Sequence, residues 1–543
     1  MKILVTGSGG LIGGEAVEYF GSRGHEIVGV DNNMRKKFFG DSADILWNLH
    51  RVVHKVIRYA HHEADIQDMN ALQNYVFQGA PYDAVIHCAA QPSHDYAEKN
   101  PEIDYGVNVQ GTKNLLECTL KHSPNAVFIF MSTNKVYDNA VNSMEFEEFQ
   151  TRFDKRAWRG FDETTSIGAN NTFGRHKLEA DLTVQIYAAK GLKTVVLRGG
   201  CLTGPGHSGV EMHGFLSHLI KTAATDGVYK IFGYEGKQVR DNIHSYDVMR
   251  AVEEIIKNPI AGEIYNIGGG RGNSISILEA IAKVEGIIGK PVKREYVNVP
   301  RSGDHKCYIT DFSKLKKHYP NWGITKNLDY IFDDILRQIY WGQYSDHEDT
   351  KNYPLNENSV VIDVGGYRGA FTDDIVKRYN CFVHVIEPIE DFYHACVFRF
   401  KNNPKVTLHN IGLSHKNGNR TIASQGQNSS LFRGGQNQPE LPPDPVYGKP
   451  VPIIANVVDA AEFFERNIIE ADLISLNAEG AEFEILPRLI ETGYIQKCRN
   501  VQIQFHKFYP NAEILREAIR TELRKTHVES FNYPWVWESW KLK

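Results

Sequence analysis

The chain has 543 residues, 42% of them hydrophobic and 23% charged, with a formal net charge of -5. This length is too great for one hydrophobic core and favours two large α/β domains or about three smaller ones. Positive and negative charges are mixed along the sequence, so we expect neither a nucleic-acid partner nor a membrane partner. Chemistry on small molecules is the expected class of function.

The seven cysteines are odd in number, scattered and never close in sequence. They suggest neither a disulfide framework nor a zinc ribbon, and no metal site is predicted. A strand that begins at Lys2 leaves no room for a signal peptide, and no apolar run approaches membrane-spanning length. We therefore expect a cytoplasmic protein.

The first thirteen residues have the pattern of a strand, a glycine turn and a helix. Gly7, Gly10 and Gly13 are spaced three apart, so the backbone can turn tightly, approach a pyrophosphate and let the helix pack close to the strand. The amino end of that helix directs its free N–H groups at the phosphates. This stretch predicts a dinucleotide-binding unit.

The second predicted strand ends at Asp31, whose carboxylate can accept both hydroxyls of an adenosine ribose and would repel a 2′-phosphate. NAD is therefore favoured over NADP, although Arg35 lies nearby in a basic loop and could soften the preference. Asp65 and Ile66 follow a possible third strand, where an acid beside an apolar residue can frame an adenine ring. Asp65 could equally be a solvated turn residue.

Two further apolar runs predict buried parallel strands. The first ends in Ala89 and Ala90, and small residues at the carboxyl end of a strand leave room for a cofactor. The second, residues 126–131, leads into the segment from Ser132 to Tyr137.

Several short motifs, in this order, resemble the extended short-chain dehydrogenase/reductases that act on nucleotide sugars. They are Thr6-Gly-x-x-Gly-Leu-Ile-Gly13, His87-x-Ala-Ala90, Asn108-Val-x-Gly-Thr112, Ser132-Thr-x-x-Val-Tyr137, Arg198-Gly-Gly-Cys-Leu-Thr-Gly-Pro205, Arg240-Asp241 and Arg301-x-Gly-Asp304. Within that family, Ser132-Thr-Asn-Lys-Val-Tyr137, Gly160-Phe-Asp-Glu163 and Gly236-Lys-Gln-Val-Arg-Asp241 look most like the CDP-paratose 2-epimerases.

The resemblance implies an NAD-binding Rossmann domain over residues 1–340 that epimerises a CDP-linked sugar through a keto intermediate without consuming NAD. A homodimer through this domain is also expected. Diphosphate contacts are implied at Arg240 and Arg301, and a sugar contact at Asn134. The implied cofactor contacts are Gly7, Gly10, Leu11, Ile12, Gly13, Asp31, Asn32, Asp65, Ile66, Ala89, Ala90, Gln91, Asn108, Lys177 and Cys201.

The family's catalytic pattern is broken at one position. The resemblance implies that Thr133 bonds the reacting hydroxyl and that Lys177 holds the nicotinamide ribose, while a tyrosine four residues before the lysine is the base. That position is Phe173, and a phenyl ring cannot take a proton. The protein is then a natural lineage with another base, a Tyr-to-Phe variant, or a domain that binds without turnover. The replacement bases to consider are Lys177, His176, His94 and Cys201.

A polar stretch over residues 341–357 predicts a linker, and the strand-turn-helix pattern then returns. Gly365 and Gly369 lie in the turn, and Glu387 closes the next strand, where it can hold ribose hydroxyls. Asp363, however, stands before the first glycine, which is typical of a site for S-adenosylmethionine.

The second half resembles FkbM-type methyltransferases through Ile362-Asp-Val-Gly-Gly-x-x-Gly369, Ile386-Glu-Pro388, Asn410-Ile-Gly-Leu-Ser414 and Asp472-Leu-Ile-Ser-Leu-Asn-Ala-Glu-Gly-Ala-Glu482. This implies a second α/β, Rossmann-like domain over residues 358–543. The family usually has an aspartate where this chain has Asn477, so Glu479, Glu482 or His506 would serve as base, or transfer would run on proximity alone. A long loop is predicted between Ser424 and Pro452, over the acceptor site.

The sequence therefore predicts an α/β protein with two doubly wound domains: an NAD-dependent nucleotide-sugar epimerase fused to an O-methyltransferase acting on surface-glycan sugars. One alternative is another reaction on the same scaffold, such as dehydration or decarboxylation. A second is a non-catalytic nucleotide-sugar sensor or scaffold.

Overall fold

The computed structural model describes residues 1–56, 58–301, 303–344, 348–424, 451–468 and 470–543. The chain divides into two compact units, Met1–Ile339 and Tyr340–Lys543. Each contains a seven-stranded sheet with helices between successive strands. The predicted α/β class, with a Rossmann-like domain in each half, is confirmed.

The described part of the first unit contains the strands β1 Lys2–Thr6, β2 Glu26–Val30, β3 Tyr59–His62, β4 Ala84–His87, β5 Val127–Thr133, β6 Glu147–Glu148, β7 Phe153–Asp154, β8 Lys193–Gly199, β9 Cys201–Thr203, β10 Tyr229–Phe232, β11 Val239–His244, β12 Glu263–Ile267, β13 Ser274–Ser276, β14 Arg294–Val297 and β15 Cys307–Tyr308.

Its helices are α1 Leu11–Gly21, α2 Met34–Phe39, α3 Leu46–Lys55, α4 Met69–Ala71, α5 His94–Lys99, α6 Pro101–Tyr105, α7 Gly111–His122, α8 Asp138–Ser143, α9 Thr172–Ala189, α10 Phe215–Ala224, α11 Ser245–Lys257, α12 Ile277–Ile288, α13 Ser313–His318 and α14 Leu328–Tyr344.

The main sheet of the first unit has the strand order β12-β8-β5-β4-β1-β2-β3, and all of its pairings are parallel. Both faces are covered, so alternate side chains enter two different cores. Ile3 and Val5 lie in one core and Leu4 in the other, which explains why β1 is apolar throughout. Strands β2 and β3 lie on one side of β1 and β4 lies on the other, so the strand order switches between β1 and β4. In such sheets ligands bind outside the carboxyl ends of the strands at this switch point.

The second unit contains the strands β16 Val360–Val364, β17 Phe382–Ile386, β18 Val406–His409, β19 Gly412–Ser414, β20 Gly418–Ser424, β21 Val451–Asp459, β22 Leu473–Leu476, β23 Asn500–Ile503, β24 His527–Tyr533 and β25 Trp537–Leu542. Its helices are α15 Ala370–Tyr379, α16 Glu390–Phe400, α17 Ala460–Asn467, α18 Glu482–Glu491 and α19 Ala512–Thr526. The main sheet has the order β18-β17-β16-β22-β23-β25-β24. Strand β25 runs antiparallel to both of its neighbours, β23 and β24.

Part of the predicted linker 341–357 belongs to regular structure. Helix α14 continues to Tyr344. Tyr353 is buried in the second unit, with its hydroxyl 2.6 Å from Gln502 Oε1 and 3.0 Å from Ser539 Oγ. A single aromatic residue in a polar stretch carries no periodicity, so the sequence does not reveal this anchor. Most of the loop predicted between Ser424 and Pro452 lies outside the described residues.

Across the described ranges, no helix combines the length and the apolar character that crossing a membrane requires.

Candidate active site

A cavity of about 450 Å³ opens at the carboxyl ends of the parallel strands in the first unit. It extends from the turn after β1 to the small sheet that contains β11, so one space joins the predicted cofactor and sugar sites. The predicted residues that line it are Gly7, Gly10, Leu11, Ile12, Gly13, Asp31, Asn32, Asp65, Ile66, Ala89, Ala90, Thr133, Asn134, Phe173, Lys177, Cys201, Arg240 and Arg301.

The turn after β1 leaves no space for side chains at two of its three glycines. A Cβ on Gly13 would lie 2.0 Å from the carbonyl oxygen of Gly7. Gly7 itself has φ +69°, and a Cβ there would lie 2.8 Å from the amide nitrogen of Ala89. The helix therefore starts directly against the strand, and its amino end faces the cavity as a backbone cradle. This geometry fits the pyrophosphate of NAD.

Asp31 is held in place at the end of β2 by two backbone amides. Its Oδ2 accepts a hydrogen bond from Gly9 N at 3.0 Å, and its Oδ1 accepts one from Asn33 N at 2.9 Å. Burial raises the pKa of Asp31 above its ordinary value. Arg35 is engaged elsewhere on the wall, donating to Ser208 O at 2.7 Å and lying 3.2 Å from His213 Nδ1. The carboxylate is thus the group placed to meet ribose hydroxyls.

Two predicted cofactor contacts, Gln91 and Asn108, do not line the cavity. Both are buried, and both donate to Asp104 Oδ1, at 2.6 Å and 2.9 Å respectively. Asn108 also donates to the Gln91 carbonyl at 3.0 Å. The structure therefore places them in a polar network behind Ala89 and Ala90, where they fix the wall.

Lys177 and Phe173 lie on α9, one helical turn apart. Lys177 Nζ donates to Met131 O at 2.8 Å and stands 4.2 Å from the centre of the Phe130 ring. Burial lowers the pKa of Lys177 to about 8. Phe173 follows the cap of the helix, where Asn171 Oδ1 accepts from Gly174 N at 2.8 Å. The ring is 7% exposed and lies in the cavity wall.

The other candidate bases differ in position. His176 does not line the cavity and lies with its Nδ1 2.7 Å from Asp104 Oδ2. His94 and Cys201 do line it. Burial raises the pKa of Cys201 to about 12, so this residue is a thiol at neutral pH and a poor proton acceptor.

The far end of the cavity carries the two predicted diphosphate contacts. Arg240 forms an ion pair with Asp304 and donates to the carbonyl oxygen of Val239 at 2.7 Å. The Arg301 guanidinium stands 4.4 Å from the centre of the Phe232 ring. Two planar guanidinium groups in one wall suit a pair of phosphate groups.

Sequence reasoning missed several polar residues of this wall. Lys135 lines the cavity and lies inside the motif Ser132–Tyr137, but the sequence pattern assigns it no role. His207, His213 and His218 line the same space and belong to loops or to helix α10, where isolated histidines carry no pattern. Within the described residues, no three His, Cys, Asp or Glu side chains are grouped to hold a metal ion.

In the second unit, two acids end neighbouring strands. Asp363 Oδ2 accepts from Thr372 Oγ1 at 2.6 Å, and burial raises the pKa of Asp363 to about 6. Glu387 accepts from the backbone amides of Tyr367 at 2.8 Å and Ile389 at 2.9 Å. Burial raises the pKa of Glu387 to about 7.

The glycine turn between these strands meets the end of β22. Gly365 has φ +89°, and a Cβ there would lie 1.9 Å from the carbonyl oxygen of Asn477. Gly369 has φ +76° and precedes α15. The buried Oδ1 of Asn477 has no hydrogen-bond partner among the residues that the structure describes. A tight turn, two strand-end acids and an unsatisfied amide oxygen fit a polar ligand such as S-adenosylmethionine.

His506 lies between two carboxylates, which disfavours it as a general base at neutral pH. Its Nδ1 lies 2.9 Å from Glu482 Oε1 and its Nε2 lies 3.3 Å from Glu479 Oε1. Burial opposes the charged ring, but the carboxylates of Glu482 and Glu479 raise the pKa of His506 to about 10. His506 therefore keeps its proton and orders the loop that carries Glu479.

Each half of the chain matches a known protein family. Residues 3–268 match the NAD dependent epimerase/dehydratase family, and residues 363–531 match the methyltransferase FkbM domain. The chain is 29% identical over 326 residues to the CDP-paratose 2-epimerase of Salmonella typhi, which covers 58% of this chain and 92% of that protein.

It is 32% identical over 345 residues to the UDP-glucuronate 4-epimerase of Thermodesulfobacterium geofontis, with 63% and 95% covered. The crystal structure of UDP-glucuronic acid 4-epimerase from Bacillus cereus, in complex with UDP-glucuronic acid and NAD, matches with a TM-score of 0.52 and 25% identity. That match covers 62% of this chain and 99% of the other. The resemblances inferred from the sequence motifs are confirmed.

The position of Asp31 predicts the cofactor preference of the first unit. Protein freed of cofactor should bind NAD more tightly than NADP, because a 2′-phosphate would meet a carboxylate. Asp31→Asn should narrow the difference in affinity between NAD and NADP. Asp83→Asn, just before the amino end of β4, should leave that difference unchanged. Burial raises the pKa of Asp31, so its carboxylate takes up a proton at a higher pH than usual. The preference for NAD over NADP should therefore weaken as the pH falls and Asp31 becomes neutral. Equal affinities in a calorimetric titration of the starting protein would contradict this.

Proposed function

The chain belongs to the NAD-dependent epimerase/dehydratase family, and we propose that its first unit epimerises a nucleotide-linked sugar, at C2 of a CDP-sugar. The observation that carries the proposal is the single cavity that joins the glycine cradle and Asp31 to Thr133, Lys177 and the arginine wall. A dinucleotide and a nucleotide sugar would meet in it end to end.

NAD is the cofactor of this unit, and when bound it supplies the oxidation and reduction of the sugar carbon. Residues of the chain bind and orient the cofactor and the sugar. The turn after β1 holds the pyrophosphate, and Asp31 holds the adenosine ribose. Lys177, fixed by Met131 O, lies where it can hold the second ribose. Thr133 Oγ1 accepts from Lys135 N at 3.3 Å and donates to Asn134 Oδ1 at 3.4 Å, and it lies in the cavity wall, where its hydroxyl would bond the sugar oxygen.

The substrate class rests on the arginines and on the relatives. Arg240 and Arg301 offer paired N–H groups to a diphosphate, which every nucleotide sugar carries. The names of the two relatives given above indicate that one acts on a CDP-linked sugar and the other on a UDP-linked sugar. We favour the CDP-sugar because the sequence motifs most resemble the CDP-paratose 2-epimerases.

The second unit carries an FkbM methyltransferase domain, and S-adenosylmethionine is its cofactor. We propose that it methylates a hydroxyl of a sugar destined for a surface glycan. Asp363 and Glu387 would hold the cofactor, and Asn477 and Glu479 would face the acceptor. An amide at position 477 cannot take a proton, so proximity and in-line orientation would carry most of the transfer.

A second candidate is a protein that binds nucleotide sugars without turnover, or one that runs another NAD-dependent reaction such as dehydration. Phe173 and Asn477 favour the binding role, because each replaces a group that exchanges protons in the respective family. Binding without turnover is distinguished from either reaction by whether the unmodified protein converts any sugar, and the product identifies whether the reaction is epimerisation or dehydration.

The first unit also offers a surface for a second copy of itself. Helices α6 and α9 pack together and expose apolar side chains: Ile103 is 38% exposed, Tyr105 42%, Leu182 41% and Ile186 57%. Leu182 and Ile186 are four residues apart, so they share one face of α9. We propose that this face pairs with its symmetric counterpart in a homodimer.

Phe173→Tyr should change turnover little if the site has its own base. CDP-paratose or UDP-glucuronate added to the starting protein should produce bound NADH, seen by its near-ultraviolet absorbance. Lys177→Met should remove most of this signal, whereas Lys193→Met, at the amino end of β8, should not. If the unmodified protein forms no NADH and Phe173→Tyr raises the rate by the ~10²–10⁴ that a positioned base contributes, the result would instead support the binding role.

Gly365→Ala should abolish binding of S-adenosylmethionine, because the added methyl group would lie 1.9 Å from the carbonyl oxygen of Asn477. Gly493→Ala is the matched control, since Gly493 has φ +76° but nothing within 4 Å of the added carbon. The measurement is calorimetric titration of the full chain, with unfolding midpoints to confirm that both variants fold. Equal binding by both variants, or no heat with the starting protein, would count against the methyltransferase site.

Ile186→Glu should convert a dimer into a monomer, because it places a charge in the proposed apolar interface. Val228→Glu, at a site 56% exposed before β10, is the control and should stay dimeric. Sedimentation velocity distinguishes the two states. A starting protein that sediments as a monomer would rule out this interface.

A further inference from the structure

A buried group of ionisable side chains lies directly behind the sugar end of the cavity. Lys135 lines the cavity on the turn after β5, and its Nζ donates to the carbonyl oxygen of Gly303. The same nitrogen lies 3.5 Å from His305 Nε2 and 3.9 Å from Asp138 Oδ1. The amine is therefore the contact between the cavity and the groups behind it.

Asp138 and His305 form a pair with no solvent exposure. His305 Nε2 lies 2.6 Å from Asp138 Oδ1, and Asp138 Oδ2 accepts from Asn171 Nδ2. Burial raises the pKa of Asp138 to about 6 and lowers the pKa of His305 well below its usual range. The pair therefore faces the amine with a carboxylate that burial makes easier to protonate and with an uncharged ring.

The position of Lys135 relative to Phe173 is also informative. A Cβ on Gly174 would lie 3.0 Å from the carbonyl oxygen of Lys135, so the turn with Lys135 packs on the helical turn that carries Phe173. Of the other candidates, His176 does not line the cavity, Cys201 is a thiol, and Lys177 is the residue expected at the nicotinamide ribose.

We propose that Lys135 is the catalytic residue that exchanges the proton of the sugar hydroxyl, with the Asp138–His305 pair as positioning residues that hold its amine at the cavity wall. The inference rests on the epimerase function proposed for the first unit. It assigns the acid–base role that Phe173 cannot fill.

The proton balance closes over one cycle. Lys135 acts as a neutral amine, the form that burial and the charge of Arg240 favour. The sugar O–H bond breaks as an N–H bond forms at Nζ, the electron pair of the O–H bond becomes the second bond of the keto group, and the hydride leaves the carbon for the nicotinamide that NAD would supply. On the return step the hydride comes back to the carbon, the N–H bond breaks and the O–H bond forms again. The chain therefore ends in its starting protonation state.

The groups around Lys135 set its titration. Burial lowers the pKa of Lys135, the charge of Arg240 lowers it further, and the carboxylates of Asp138 and Asp304 and the thiol of Cys201 oppose this. His305 faces the amine from the far side. Removal of the Asp138 charge should therefore lower the pKa of Lys135 again.

Activity gives the first test. Lys135→Met should slow NADH formation from CDP-paratose or UDP-glucuronate by about 10²–10⁴, while calorimetry shows the nucleotide sugar still bound. Lys135→Arg keeps the charge but cannot become neutral, so it should be equally slow. Lys193→Met is the control that keeps the full rate. Full activity in Lys135→Met, with loss in His94→Gln, would overturn the inference.

Chemical labelling gives a second test that needs neither substrate nor cofactor. Acetic anhydride modifies neutral amines, and mass spectrometry across a pH series gives a midpoint for each lysine. The midpoint of Lys135 should lie below that of Lys193 and fall further in Asp138→Asn. Equal midpoints for Lys135 and Lys193 would overturn the inference. A starting protein that converts no sugar would instead contradict the proposed epimerase function.

Discussion

The close approach of backbone to backbone at a glycine turn is the constraint on which both units depend. In the first unit a side chain on Gly13 would need the space of the Gly7 carbonyl, and in the second a side chain on Gly365 would need that of Asn477. Because no side chain intervenes, bare backbone ends each first strand and the acid of the next strand faces it. Asp31 and Glu387 are both held there by two backbone amides.

Burial then decides which groups can exchange protons. It lowers the pKa of Lys177 to about 8 and raises that of Cys201 to about 12, so similar surroundings activate an amine and silence a thiol. In the second unit, two carboxylates reverse the effect of burial on His506 and keep its ring charged. The loss of a tyrosine or an aspartate from a family pattern is therefore not enough to judge a site, because its neighbours also change what can titrate.

Local patterns predicted the parts of the site that local physics determines. Apolar runs gave the buried strands, and glycine spacing with a following acid gave both cofactor turns. The contacts that the sequence does not reveal join side chains whose partners no local pattern specifies. Gln91 and Asn108 turn into the wall because Asp104 bonds both. Asp138 and His305 are 167 residues apart in sequence, so their pairing, and the role of Lys135 beside it, is visible only in three dimensions.

The central claim is that the first unit inverts a sugar carbon by oxidation and reduction inside one cavity. The most direct measurement is proton NMR of the product when the protein converts CDP-paratose in deuterium oxide. Because the same hydrogen leaves and returns to the carbon, the account predicts an epimer that carries protium at the inverted position. Deuterium at that carbon, or no epimer from any nucleotide sugar supplied, would contradict it.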